Sequence, residues 1–315
     1  MAPPSSSSRF TRFFPFPTIP LLLSVVLLAL IYFANDLKLQ SPLTTCSEGA
    51  TPSSSDPAAK PAVDLRVLLG VLTRAEMYER RALLRLAYSL QPPPRRAVVD
   101  VRFVVCRLDR EEDAVLVALE AIAHGDVVVL NCTENMDGGK TYEYFSAVPR
   151  LFAGEPYDYV GKTDDDTYYR LAALADALRG KPRRDVYHGF LTPCHQNREW
   201  EYMSGMGYVV SWDVAAWISA AEEPRRDQHG PEDLVFGRWL RRGGRGKHKY
   251  TEEPRMYDYL DREMQERVEC YRHELVADTA AVHKLKDRLK WARTLRFFNA
   301  TRGLKRSKMY QIDLL

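Results

Sequence analysis

Apolar and polar positions follow two periods in turn along the middle of this chain. The run DLRVLLGVLT, 64–73, is almost continuously apolar, the pattern of a strand buried on both faces. EMYERRALLRLAYSL, 76–90, carries leucine and alanine at helical spacing and stops before QPPP, where proline ends a helix. The same pair of patterns then recurs. VVDVRFVVCRL predicts a strand, EEDAVLVALEAIAHG a helix closed by Gly125, and DVVVLN a third strand. TYEYFSAVPRLFAG predicts a helix, YDYVGKTDDD a fourth strand, LAALADALRG a helix ending at Gly180, and DVYHGFL a further strand. Alternating strands and helices predict an α/β fold with a mostly parallel sheet covered on both faces. No internal repeat is visible.

The N-terminal region has neither period. Residues 1–18, MAPPSSSSRFTRFFPFPT, carry Arg9 and Arg12 and no acid, and read as a cytoplasmic tail. Ile19 to Ala34 contain no charge. Alone this run is short for a membrane span of about 17–25 residues. The preceding FFPFPT brings it into range, and a thin bilayer tolerates short spans. With the arginines on its N-terminal side, the positive-inside rule leaves residues 63–315 in the lumen. A cleaved signal peptide would need a small-residue cleavage site, and only YFAND follows. The segment is therefore read as a single transmembrane signal anchor. Residues 35–62 hold few large apolar groups and read as a flexible stem.

A net charge of +3 among 315 residues gives no reason to invoke nucleic acid. The five cysteines matter more, because a lumenal chain can form disulfides. Cys106 and Cys132 close neighbouring predicted strands, while Cys194 and Cys270 fall in later loops. Pairing within each set is expected, with the connectivity open. Cys46, in the stem, is either a free thiol or a link between two chains that would make a homodimer. Asn131 and Asn299 each begin a glycosylation sequon; Asn299 is the better candidate, since Asn131 follows a strand directly.

The candidate chemistry centres on Asp164, Asp165 and Asp166, which close the fourth predicted strand just after Lys162. Open sheets bind ligands at the carboxyl ends of their strands. Adjacent carboxylates repel unless a cation joins them, and hard oxygen ligands suit Mg²⁺ or Mn²⁺. In an extended segment Asp164 and Asp166 face one way and Asp165 the other. Read blandly, DDDT is a solvated turn or a helix cap. Glu232 and Asp233 precede an apolar helix, where the macrodipole alone accounts for a pair of acids. His283 follows an apolar stretch, where a lone histidine is more often structural. His188 reads as a strand residue, and His248 and His273 as surface. In WEYMSGMGYVVS, aromatic residues interleave with Gly205 and Gly207. That pattern suits either a sugar approaching the backbone or a hairpin with core aromatics. The basic stretch RRGGRGKHK, 241–249, reads as a solvated loop.

These residues resemble the β-1,3-galactosyltransferase type of glycosyltransferase family 31, from about Leu65 to about Leu285. RRALLRLAY is similar to that family's R-R-x-x-I-R-x-T-W, with Ala87-Tyr88 in place of Thr-Trp. DYVGKTDDD is similar to its apolar run and K-x-D-D-D, EYMSGMGYVVSWDVAAWI to its Y-x-x-G-x-G-Y segment, and GPEDLVFGRWL to its E-D-V-x-x-G. The resemblance implies a GT-A fold, a Rossmann-like mixed sheet with helices on both faces, in a single-pass type II protein of the Golgi membrane. It implies an inverting transfer of a hexose, galactose first, from a UDP-sugar to a glycan or glycoprotein hydroxyl in β-1,3 linkage. Asp166 and His283 would hold Mn²⁺. Asp164, Asp165, Lys162, Thr73 and Arg81 would bind the nucleotide sugar. Asp233 would be the general base and Glu232 its support, with Trp200, Glu201, Tyr202, Gly205 and Gly207 toward the acceptor. Two other readings remain: a noncatalytic lumenal sugar-binding protein on the same scaffold, and a metal-dependent phosphohydrolase. The first should show damage at the triplet or the acid pair, and both are intact. The second should show further Asp or His clusters at strand ends, and these are sparse.

Overall fold

A computed structural model describes residues 63–154, 157–192, 200–259 and 274–300. The predicted anchor, the stem with Cys46, and Cys194, Cys270 and His273 lie outside them. Among the described residues no helix is long and apolar enough to cross a membrane.

The elements begin as the apolar pattern predicts: β1 (Leu65–Leu72), α1 (Tyr78–Ser89), β2 (Ala97–Val105), α2 (Glu111–His124), β3 (Val127–Val129), α3 (Lys140–Leu151) and β4 (Tyr159–Asp164). A short β5 (Tyr168–Tyr169) leads to α4 (Leu171–Arg179), β6 (Val186–Thr192) and β7 (Tyr202–Ser211). Then come α5 (Trp212–Ala220), α6 (Glu222–Arg226), α7 (Glu232–Arg242), β8 (His248–Thr251), β9 (Met256–Asp258), β10 (Ala281–His283) and α8 (Arg288–Phe297).

Seven strands form one sheet in the order β3-β2-β1-β4-β7-β6-β8. Six run in one direction, and β7 runs against both its neighbours. The sheet is therefore mixed, with the single reversed strand in its interior, between β4 and β6. Two stretches differ from the sequence reading. WEYMSGMGYVVS contributes an interior strand rather than a hairpin. The end of the basic stretch, read as loop, becomes β8 and pairs with β6 from His248 to Thr251. Pairing to an existing strand supplies the hydrogen bonds that its own weak pattern does not announce.

Alternation along β1 divides the core. Leu65, Val67, Leu69 and Val71 point into one cluster, with Leu84 of α1 and Leu174 and Leu178 of α4. Leu68 and Leu72 point into the other, with Phe145 of α3, Ile218 of α5 and Phe236 of α7. Successive side chains of a strand face opposite ways, so one apolar strand serves two layers of helices. A second, three-stranded sheet, β5-β10-β9, joins the first cluster through Tyr168, Val282 and Met256. A disulfide joins Cys106 and Cys132, just beyond the ends of β2 and β3.

Candidate functional site

The aspartate triplet lies at the carboxyl end of β4, beside the end of β1, where Leu72 is paired with Asp164. Strand β4 is buried through Thr163. The chain then turns, with the Thr167 amide donating to the Asp164 carbonyl at 3.1 Å. The three carboxylates part company there. Asp165 turns toward β1, accepting from Thr73 Oγ1 at 2.7 Å and from Arg80 Nη1 at 2.6 Å. Asp164 and Asp166 turn toward His283. Its Nε2 lies 3.4 Å from Asp166 Oδ1 and 3.8 Å from Asp164 Oδ2.

The small sheet places His283. Parallel pairing of β10 with β9 sets His283 opposite Asp258, whose Oδ1 is 3.2 Å from His283 Nδ1. The Leu285 amide donates to the Asp166 carbonyl at 2.9 Å, tying the two loops together. Asp164, Asp166 and His283 thus offer three ligand atoms within 4.8 Å of one another. The set fits a divalent cation: hard carboxylate oxygens with one imidazole, and a carboxylate behind the imidazole to hold its orientation. Burial disfavours charge on His283, but hydrogen bonds to Asp166 and Asp258 outweigh it and lift the imidazole to about 9. Burial also works against charge on Asp166, yet His283, Lys286 and Arg80 hold its carboxyl below the usual range.

The facing wall is the N-terminus of α7. Glu232 accepts from Lys162 Nζ at 2.5 Å on one oxygen and from Tyr208 Oη at 2.8 Å on the other. Burial raises its pKa to about 7, with Asp164 and Asp233 adding to the rise and Lys162 opposing it. Asp233 accepts from the Gly205 amide at 2.9 Å through Oδ2. Gly205 is required by space: a Cβ there would lie 2.7 Å from Glu232 Oε1 and 3.4 Å from Asp233 Oδ2. Between these walls lies a cavity of about 560 Å³. Thr73, the three aspartates, Gly205, Glu232, Asp233 and His283 all line it.

Other predicted residues stand elsewhere. Lys162 is completely buried under the cavity floor, and Gly205 O, Glu232 and Asp164 take its ammonium at 2.7, 2.5 and 2.8 Å. Burial opposes its charge, but Asp164 and Glu232 hold it well above the ordinary lysine range. Its role is to brace the site, since three acceptors leave no N–H for a ligand. Arg81 is also enclosed. It holds the Arg74 and Ala75 carbonyls and forms a two-point pair with Glu120, outside the cavity lining. Gly207 is needed for packing, since a Cβ there would lie 2.3 Å from the Tyr169 hydroxyl oxygen and 2.7 Å from its ring. Trp200, Glu201 and Tyr202 do not line the cavity. Trp200 sits under the Arg241 guanidinium, Glu201 pairs with Lys249, and Tyr202 packs its Cβ against Gly237. The Ala87-Tyr88 departure lies in the core, where Tyr88 stacks on Tyr168. The Asn131 and Asn299 residues are both exposed.

Sequence reasoning missed five residues here. Arg80, rather than its neighbour Arg81, reaches Asp165; only the phase of α1 separates the two. Asp258 has no local signature, because its pairing with His283 spans 25 positions. Lys140 and Glu134 line the cavity as an ion pair at 2.6 Å, and Lys140 also donates to the Thr73 carbonyl. Lys286 lines the cavity three residues past His283, with no motif to mark it.

No protein-family model matches the chain. Curated relatives do. β-1,3-Galactosyltransferase 6 of Mus musculus is 32% identical over 216 residues, 62% of this chain and 65% of that protein. The β-1,3-galactosyltransferase pvg3 of Schizosaccharomyces pombe is 26% identical over 277 residues, 70% of this chain and 71% of that protein. Hydroxyproline O-galactosyltransferase GALT2 of Arabidopsis thaliana is 24% identical over 205 residues, 57% of this chain and 29% of that protein. The chain thus spans a little under two thirds of the mouse relative's length. Among solved structures, apo mouse xyloside xylosyltransferase 1 superposes with a TM-score of 0.42 at 10% identity, covering 70% of this chain and 97% of that one. Apo GlyE of Streptococcus pneumoniae gives 0.44 at 8%, covering 78% and 65%. Superpositions that loose say nothing of the chemistry. By sequence, the chain is similar to curated galactosyltransferases, in keeping with the family 31 resemblance of its four motifs.

Proposed function

We propose that the protein is an inverting glycosyltransferase of the GT-A type. It moves a hexose, galactose first, from a UDP-sugar to a glycan or glycoprotein hydroxyl in β-1,3 linkage. The observation that carries this reading is one cavity with two chemistries on facing walls. The Asp164–Asp166–His283 group stands on one side and the Asp233 carboxylate on the other. The named relatives support the reaction class. The charge-free run at 19–34 supports a type II anchor in the Golgi membrane.

Asp164, Asp166 and His283 are the residues that would hold Mn²⁺. When bound, the ion offsets negative charge on the diphosphate of the donor. Asp165, braced by Thr73 and Arg80, is fixed to receive the nucleotide side of the donor. Asp233 takes the proton from the acceptor hydroxyl as that oxygen bonds to the anomeric carbon. Its Oδ2 is aimed by the Gly205 amide. Glu232, held by Lys162 and Tyr208, keeps α7 at the distance this requires. Transfer is thereby positioned by two buried contacts rather than by loops.

The test is turnover of a panel of UDP-sugars by the purified full-length chain, with Mn²⁺ and then with EDTA. Metal-dependent use of one donor, lost in Asp166→Ala and Asp233→Ala, supports transfer and names the sugar. Folded protein that binds no UDP-sugar with Mn²⁺ present would instead favour a noncatalytic role.

A further inference from the structure

In the transfer proposed above, negative charge grows on the diphosphate as the donor's glycosidic bond breaks. Most cations around the cavity are already engaged. Lys140 is bound to Glu134, Arg80 to Asp165 at 2.6 Å, and Arg74 to Glu76 at 3.1 Å. Lys162 is spent beneath the floor. Lys286 also lines the cavity and is exposed, and among the described residues it makes no hydrogen bond or ion pair.

Its backbone is held on both sides. On one side the buried Leu285 donates its amide to the Asp166 carbonyl at 2.9 Å. On the other, Asp287 caps α8 by accepting from the Lys290 amide at 2.9 Å. The ammonium therefore stands beside the metal-ligating face while keeping its N–H groups free. A free lysine over an acidic cluster has reason to swing onto a carboxylate. This one does not, since Asp165 and Asp166 are already taken by Arg80 and His283.

We propose that Lys286 is a catalytic residue that binds the diphosphate of the nucleotide sugar and receives the charge that develops there. This rests on the transferase reading. In the step, the bond from the anomeric carbon to the terminal phosphate oxygen breaks and its electron pair goes to that oxygen. The acceptor oxygen bonds to the anomeric carbon, and its proton goes to Asp233. Lys286 supplies donors to the departing phosphate oxygens, which an ammonium serves as a point charge.

The experiment compares UDP and uridine binding, with Mn²⁺ present, to the full-length wild type, Lys286→Ala and Lys286→Arg. Lys290→Ala removes the same charge outside the cavity as a control. Lys286→Ala should weaken UDP about tenfold or more, as loss of a charge-assisted hydrogen bond predicts. Uridine binding and the thermal midpoint should not change. kcat should fall by more than KM changes, and Lys286→Arg should restore most of both. If Lys286→Ala binds UDP as tightly as an active wild type, this assignment is overturned and the transferase reading stands. If the wild type binds neither UDP nor a UDP-sugar, both fall together.

Discussion

Lys162 Nζ lies 2.5 Å from Glu232 Oε1 and 2.8 Å from Asp164 Oδ1. One buried ammonium thus joins the strand that ends in the aspartate triplet to the helix that begins with the acid pair. Lys162→Met removes the cation and leaves two acids facing each other. Breaking a buried pair from one side costs about 3–5 kcal/mol. Urea denaturation should show a loss of that order, and adding Glu232→Gln should recover part of it. Equal stability of the single variant and the wild type would refute the bracing role.

Asp258 reaches the Asp164–Asp166–His283 group through His283. Carboxylates behind a ligating imidazole are worth about 10–100-fold in metal affinity. Asp258→Ala should therefore weaken Mn²⁺ binding by that factor in a calorimetric titration, with the fold intact. Asp166→Ala should weaken it further. Unchanged affinity in Asp258→Ala would mean that β9 plays no part in the site.

Glu232 sets a pH dependence of stability. Its carboxyl sits near 7 in the folded chain against an ordinary value of 4.5. The folded state then binds more protons than the unfolded state between those values. Stability contributed by this group accordingly falls as pH rises from about 4.5 to about 7, and levels off above. Denaturation midpoints at pH 5, 6, 7 and 8 should show a decline in the wild type that is absent from Glu232→Gln. Parallel curves for the two proteins would exclude it.

Gly205 is where β7 passes closest to the acid pair. An added methyl would be 2.7 Å from Glu232 Oε1, so Gly205→Ala must push α7 or β7 away. A displacement of about 1 Å at a reacting group can cost about a hundredfold. The variant should lose activity by tenfold or more while its far-ultraviolet circular dichroism matches the wild type. Full activity would show that the walls can separate without harm.

Much of this was legible from local pattern. β1, β4 and the helices between them announce themselves, because a strand buried on both faces must be apolar throughout and a covering helix must present a stripe. The acidic triplet was legible for a related reason. Three carboxylates closing such a strand repel one another unless a cation joins them, and alternation of side chains sends Asp165 away from its neighbours. Strand β8 and the interior place of β7 were not legible. Their residues are specified by what lies beside them rather than by their own period.

The sequence by itself determined the layered α/β core, the place of the triplet at a strand end and the acid pair at the head of α7. Each follows from interactions within a few residues. Only the tertiary structure decided which charged groups face the cavity. It turned Arg80 inward and Arg81 away, sank Lys162 beneath the floor, and brought Asp258 behind His283. Those outcomes depend on pairings between segments far apart in the chain, and on the requirement that every buried charge meet an opposite one. No single stretch of sequence contains that information.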